Sequence, residues 1–318
     1  MNTRNIGRSG LRVSAIGLGC NNFGHTVEAA TSRDIIHRAL DLGITLFDTA
    51  PIYGAEWGAS ERILGEALGS RRRDVAIVTK FGLTPGGGPD TSRSAVIDGI
   101  EQSLRRLGTD YVDLFLLHWP DESTPMEETL RALDDVVRSG KARYTGCCNL
   151  PAWRVVEAKW LARSAGLNEF IVAQDEYSLA HRGPERGLLP ALREYAMGLM
   201  PYAPLANGLL TGKFSRGEAA AGDSRLKRNQ WNTGDRYLTA RKLDLAARLE
   251  RMAAERGRSL LELAVSWLLA QPAVCSVIAG ATRLEQLEGN AGAGGWALTP
   301  EELEQVDRIC RDADAVGD

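Results

Sequence analysis

Three polar residues in this chain each close an apolar run: Asp48 ends ITLFD, Lys80 ends VAIVTK and His118 ends LFLLH. Side chains alternate between the two faces of a strand. Counting back by twos puts Leu46 and Ile44 behind Asp48, Val78 and Ala76 behind Lys80, and Leu116, Leu114 and Val112 behind His118. Taken singly, a strand-end Asp is ordinarily a turn residue, a strand-end Lys ordinarily reaches for water, and a lone His is more often a satisfied core group. Taken together on neighbouring strands, the three would converge on one rim. A lysine there needs an anionic partner, because an isolated buried charge is expensive, and Asp48 is the partner at hand. Tyr53, a few residues past Asp48 in APIYG, could reach over the same mouth.

This set could move a proton onto an oxygen. A tyrosine titrates near ~10 when unperturbed, and a nearby ammonium stabilises tyrosinate and lowers that value. Tyr53 beside Lys80 would then give a proton to a forming alkoxide near neutral pH and take it back in reverse. His118 would hydrogen-bond a carbonyl oxygen and orient it. Such a set supplies an acid and an oxyanion contact but no electrons, so it needs a hydride carrier.

The elements that would hold these residues follow from hydrophobic periodicity. The first strand is expected over Val13–Gly19, after a hairpin over residues 3–14 turning at Ser9-Gly10. Then come a helix at 29–42, strand 44–48, a helix at 59–69, strand 75–80 and a helix at 92–107, with Gly108 at its C-cap. Strand 111–118, helix 126–138, strand 143–148, helix 151–164, strand 170–175, helix 187–196 and strand 198–203 continue the series. After a long gap, Ser259 and Glu262 form a capping box for a helix at 260–270. Strand 274–279 and a helix at 283–291 follow, and Thr299-Pro300-Glu301-Glu302 opens a final helix. Nearly continuous apolar strands alternating with helices argue for a parallel sheet covered by helices. Eight such units predict one domain over residues 1–318: an α/β fold, a closed (β/α)8 TIM barrel with an N-terminal β-hairpin and extra C-terminal helices. An open doubly wound sheet is the alternative, but no GxGxxG follows the first strand. In a barrel, function sits at the C-terminal strand ends, where Asp48, Lys80 and His118 fall.

The totals set limits. A net charge of −3 and a pI near 5.9 leave no basic footprint for nucleic acid. No run of 18 apolar residues occurs, so no membrane span is expected. MNTRNIGRSG lacks the apolar core of a signal peptide, and five scattered cysteines without CxxC spacing suit a reducing compartment; the cytoplasm is the expectation. The glycines at 86–88 lack the GK[ST] of a phosphate loop, and GLGCNNFG has the wrong spacing for a dinucleotide fingerprint.

Seven motifs in order resemble the aldo-keto reductase superfamily: GLGCNNFG (17–24), GITLFDTAPIYG (43–54), VTK (78–80), LLHWP (116–120), QDEYSL (174–179), PYAPLANGLLTGKF (201–214) and VIAGATRLEQLEGN (277–290). The family's catalytic tetrad falls on Asp48, Tyr53, Lys80 and His118. The resemblance implies a barrel that binds NAD(P)(H) without a Rossmann domain and moves hydride between nicotinamide and a carbonyl or alcohol. It places Gly19, Cys20 and Asn21, with Asp48, near the nicotinamide ribose; Cys148, Asn149 and Gln174 on the carboxamide; Tyr202 on the nicotinamide ring; and Leu205, Asn207 and Lys213 along the pyrophosphate. The family's serine is Cys148 here, and a thiol is the weaker hydrogen-bonding group. Gly280, Thr282, Arg283, Gln286 and Asn290 fall at the adenosine end, where the start of a helix favours an anion. The usual basic positions are Gly280 and Gln286, which leaves Thr282 and Arg283 for a 2′-phosphate. NADP(H) is favoured, with NAD(H) as the alternative.

Asn22, Phe23, Tyr53, Trp57, Trp119 and Trp231 are candidates for the substrate mouth, Trp119 first among them. Residues 206–235 form a long polar stretch expected to act as a flap over the cofactor. The expected partner is a small carbonyl or alcohol: an aldehyde, ketone or sugar. Two other functions compete. Channel β-subunits resemble this family, so a non-catalytic nucleotide-binding regulatory subunit is the alternative; the complete tetrad and the lack of an extended N-terminal segment speak against it. A metal-dependent hydrolase is disfavoured, because His25, His37, His118 and His181 form neither HxH nor HExxH.

Overall fold

The chain begins with a hairpin, β1 (Thr3–Asn5) against β2 (Arg12–Ser14), closed by Ile6 N donating to Leu11 O at 2.9 Å. Ser9 sits in the turn, where its hydroxyl donates to Ile6 O at 2.7 Å. The computed structural model describes residues 1–214, 226–227 and 232–315. The strand expected over Val13–Gly19 is two elements. Val13 belongs to the hairpin, the chain bends at Ala15, and β3 spans Ile16–Gly19.

Seven further strands run parallel to β3: β4 (Leu46–Asp48), β5 (Ala76–Phe81), β6 (Val112–Leu117), β7 (Ala142–Cys148), β8 (Phe170–Glu176), β9 (Gly198–Tyr202) and β10 (Val277–Gly280). Their order is β10-β3-β4-β5-β6-β7-β8-β9. The ring is completed just ahead of β10, where Leu199 N donates to Ala273 O at 2.6 Å and Cys275 N donates to Leu199 O at 2.9 Å. The arrangement is the (β/α)8 barrel with its N-terminal hairpin.

The helices are α1 (Ala29–Asp41), α2 (Ala59–Leu68), α3 (Arg93–Leu107), α4 (Met126–Arg138), α5 (Ala152–Ala165), α6 (Leu188–Glu194), α7 (Thr233–Tyr237), α8 (Ala240–Ala254), α9 (Leu260–Ala270), α10 (Leu284–Gly292) and α11 (Pro300–Ala315). Their ends obey local chemistry. Gly108 caps α3 in the left-handed region, at φ 61°, where glycine meets no Cβ penalty. Ser259 and Glu262 form the reciprocal capping box of α9. Helix α8 fills the gap left by the sequence reading. Thr239 caps it, and Leu245, Ala246, Leu249, Met252 and Ala253 form its buried stripe. The stripe was overlooked because arginines interrupt it throughout.

Two apolar cores result. The barrel interior holds Leu46, Ala76, Val78, Leu114, Leu116, Cys148, Val172, Met200 and Ile278, with Ile6 and Val13 of the hairpin packed against them. Everything apolar between strands and helices forms the second core. Ile44 and Val112, at the strand starts, pack with this second cluster. Among the described residues, no helix is long and apolar enough to cross a membrane.

Candidate active site

Strand alternation delivers Asp48 and Lys80 to the C-terminal ends of β4 and β5, facing inward above the apolar filling. Lys80 is fully buried and Asp48 nearly so. The lysine Nζ donates to Asp48 Oδ1 at 2.8 Å, to Thr49 O at 2.9 Å and to Tyr53 Oη at 3.3 Å. All three ammonium hydrogens therefore have acceptors, which is what a charge at this depth requires. Tyr53 is brought back over the rim by the turn after β4, where its N–H bonds Ala50 O at 3.0 Å. Its ring also lies beneath the ammonium, 4.8 Å from the centroid.

Burial opposes the Lys80 charge, but Asp48 and then Tyr53 outweigh it and hold its pKa above the usual lysine value. Tyr53 behaves differently from the sequence expectation. Burial acts most strongly and raises its pKa, Lys80 lowers it, Asp48 raises it again, and the phenol is pushed up to about 12. The ammonium contact is present as expected, yet desolvation of the tyrosinate wins. Tyr53 thus carries its proton throughout the neutral range. His118 follows β6, with its N–H on Phe81 O at 2.7 Å and its ring edge-on to Tyr53, centroids 6.0 Å apart. Burial first, then Lys80, hold its pKa well below the usual histidine value. It is a neutral imidazole with one N–H to give.

The tetrad continues into a wider polar ring. Gln174, on β8, donates from Nε2 to Asp48 Oδ1 at 2.8 Å, and Cys148 Sγ lies 3.6 Å from Gln174 Oε1. Asn149 donates to His118 O at 2.9 Å and accepts from Tyr202 Oη at 2.9 Å. Asn149 holds this position at φ 57°, a left-handed conformation that asparagine tolerates. Cys148, Asn149, Gln174 and Tyr202 therefore meet at one mouth. Burial pushes the Cys148 thiol well up, so it is a neutral donor.

At β3, Gly19 pairs in register with Asp48 on one side and Gly280 on the other. Cys20 is fully buried; its N–H bonds Asp48 O at 2.8 Å, its carbonyl accepts from Ser60 Oγ at 2.9 Å and its sulfur lies against Leu18 O. These bonds hold the turn after β3. A Cβ on Gly280 would lie 3.3 Å from Asn22 Nδ2 and 3.5 Å from Asn21 Oδ1, so both asparagines border the end of β10. That places Asn22, expected at the substrate mouth, beside the residues expected around the nucleotide. Phe23 is fully buried in the outer core and does not line the mouth. Trp57 is half-buried in the turn before α2, and Trp119 is 48% exposed with its ring 6.3 Å from His118.

After β9 the backbone is strained. Ala203, Ala206 and Asn207 all take positive φ, at 48°, 48° and 56°. Such residues cost of order 1 kcal/mol each and tend to gather at binding sites. Leu205 lies between them, half-buried, and Lys213 is exposed farther along. At α10, Arg283 is the exposed N-cap residue, and no side chain caps the helix. Gln286 Oε1 accepts from Thr282 N at 2.9 Å and Thr282 Oγ1 at 3.0 Å, while Asn290 Nδ2 donates to Gly280 O at 3.2 Å. These bonds fix the turn from β10 into α10. Trp231 and half of the 206–235 stretch, residues 215–225 and 228–231, lie outside the described residues. Where the chain returns at α7, Arg236 and Tyr237 both bond Glu176 at the end of β8.

Asp121 was not anticipated. It follows HWP, is nearly buried, and accepts from Ser123 N at 2.8 Å, Ser123 Oγ at 2.6 Å, Thr124 Oγ1 at 2.7 Å and Thr91 N at 3.1 Å. Burial opposes its charge, and the Ser123, Thr124 and Thr91 bonds overcome it, so the carboxyl is held well below its usual range. It staples the loop carrying His118 and Trp119 to the start of α3. The Asp-x-Ser-Thr pattern was its signal in the sequence, since such side chains bond backbone one or two residues on.

The chain is similar to known proteins along nearly its whole length. The Aldo/keto reductase family model matches residues 15–311. An L-glyceraldehyde 3-phosphate reductase of Escherichia coli K12 is 38% identical, over 99% of this chain and 94% of its own length. A probable voltage-gated potassium channel subunit beta of Oryza sativa subsp. japonica is 37% identical, over 97% of this chain and 96% of its own length. One from Arabidopsis thaliana is also 37% identical, with the same coverage. A barrel carrying Asp48, Tyr53, Lys80 and His118 at its open end, with a match running from β3 into α11, leaves one assignment: the chain belongs to the aldo/keto reductase family.

Proposed function

We propose that this protein is an NADP(H)-dependent carbonyl reductase or alcohol dehydrogenase, with Tyr53 as its general acid and base. The observation that carries the reading is one ammonium, Lys80 Nζ, bonded to Asp48 Oδ1 at 2.8 Å and to Tyr53 Oη at 3.3 Å in the mouth of the barrel. A reduction needs a proton at the carbonyl oxygen as hydride reaches the carbon. Tyr53 is protonated at neutral pH, and its Oη is the proton donor. Lys80 stabilises the tyrosinate left behind, and Asp48 keeps Lys80 charged and aimed. His118, neutral, donates its N–H to the same oxygen and orients it.

A nicotinamide nucleotide, when bound, supplies the hydride. The residues present fit one. Asn149, Gln174 and Tyr202 offer amide and phenol groups beside the tetrad. The strained turn after β9 brings Leu205 and Asn207 to the rim, with Lys213 beyond. A Cβ at Gly280 would press on Asn22 Nδ2 at 3.3 Å, so glycine suits this close approach. The uncapped N-terminus of α10, with Thr282 and Arg283, suits a phosphate; this favours NADP(H) over NAD(H). Gly19 and Asp48 border the ribose side, Gln286 and Asn290 the adenine side, while Trp57 and Trp119 meet substrate and Asn22 stands beside Gly280 on the nucleotide side.

The E. coli relative is named for a short phosphorylated aldehyde, so such aldehydes head the substrate panel, followed by ketones and, in oxidation, sugars. Tyr53→Phe should lower turnover by at least ~100-fold, the weight of a general acid, while nucleotide still binds. Turnover within a few-fold of wild type would refute the role of Tyr53. A second reading, a nucleotide-binding regulatory subunit, is favoured by the relatives named as potassium channel β-subunits. Nucleotide binding without turnover of any substrate in the panel would select it.

A further inference from the structure

Gln174 holds more than its family position suggests. A carboxylate oxygen can only accept, so the group it meets at 2.8 Å must be the amide N–H of Gln174, and the amide oxygen must then face Cys148. The amide is thus oriented at both ends, by a carboxylate on one side and a thiol on the other. Asp48 Oδ1 receives two donors at the same distance, Lys80 Nζ and Gln174 Nε2, both at 2.8 Å. All four side chains are almost completely buried. Among the described residues, Lys80 and Gln174 are the side chains that bond this oxygen.

We infer that Gln174 is a positioning residue for proton transfer: it clamps the Asp48 carboxylate from the β8 side, which in turn fixes Lys80 against Tyr53. The Lys80–Tyr53 contact, at 3.3 Å, is the longest of the three bonds that run from Gln174 through Asp48 and Lys80 to Tyr53, and the first of them to open if Asp48 turns. The clamp spans the barrel mouth. Asp48 and Lys80 sit on adjacent strands, whereas Gln174 stands on β8, three strands beyond β5. One amide therefore ties the half of the barrel that carries Tyr53 to the half that carries Asn149 and Tyr202. The inference rests on the reductase reading for its catalytic consequence but not for its geometry.

The test uses Gln174→Met, which keeps length and volume while removing the donor. In a crystal structure of the nucleotide-free variant, the Asp48 carboxylate should turn and the Lys80 Nζ–Tyr53 Oη distance should open past hydrogen-bonding range. A retained contact with an unmoved carboxylate would overturn the inference. In single-turnover hydride transfer at saturating nucleotide, Gln174→Met should slow the step by ~10-fold, the worth of one charge-assisted hydrogen bond. In an Asp48→Asn background the same substitution should add little further slowing, because the two act as one unit. A loss confined to nucleotide Kd, equal in both backgrounds, would reduce Gln174 to a nucleotide contact and overturn the inference. If the wild-type protein turns over no substrate, the reductase reading fails, and the crystal structures still decide whether Gln174 positions Asp48.

Discussion

Tyr53 shows how a residue's place can be legible while its acidity is not. Alternation along β4 and β5 fixes which side chains meet, and that much needs only the sequence. The acidity of the phenol is a sum over its surroundings: burial raises it, Lys80 lowers it, Asp48 raises it, and the total lies near 12. Asp121 is the converse case, a residue whose partners are mostly local. Its folded carboxyl titrates well below the usual range, whereas the unfolded one titrates near ~3.9. The stabilisation is therefore complete above that value and is lost as pH falls toward the folded pKa. Asp121→Asn should destabilise the protein at pH 7, and the gap from wild type should narrow as denaturation is measured at successively lower pH below ~5. A gap independent of pH would mean that the charge is not its source.

Among the elements, packing can reverse the sign that local propensity predicts. Gly65 lies inside α2, where alanine is ordinarily better by ~1 kcal/mol. A Cβ there would stand 2.3 Å from Leu107 O, so the helix α2 and the end of α3 must part. Overpacking of this kind costs ~1–3 kcal/mol, so Gly65→Ala should lower stability in urea denaturation. Gly292, at the end of α10, has nothing within 4 Å of an added Cβ. Gly292→Ala should be neutral or stabilising, and equal effects at both sites would refute the packing account. Helix α4 begins and ends where periodicity placed it, at Met126 and Arg138, and α9 starts at its capping box. Helix α8 was missed because a stripe interrupted by arginines looks polar until the surface it covers is known.

At the scale of the molecule, the hairpin acts as a plug. Ile6 and Val13 join the interior residues of the barrel, and Ile6 is fully buried. Ile6→Ala should cost ~2–5 kcal/mol, the usual range for a buried isoleucine, read as a shift in the urea midpoint. A loss below ~1 kcal/mol would show that the hairpin merely covers the barrel end. The sequence by itself determined the alternation of strand and helix, the caps and the polar strand ends, because these depend on neighbours a few residues away. It also placed Asp48, Lys80, His118 and Tyr53 at one rim. Only the tertiary structure decided that Leu199 meets the residues before β10, that Cys20 bonds across the turn to Asp48 and Ser60, and that Gln174 grips Asp48 from 126 positions away. Those are through-space contacts, and burial and electrostatics act through space, so no local pattern in the chain could have announced them.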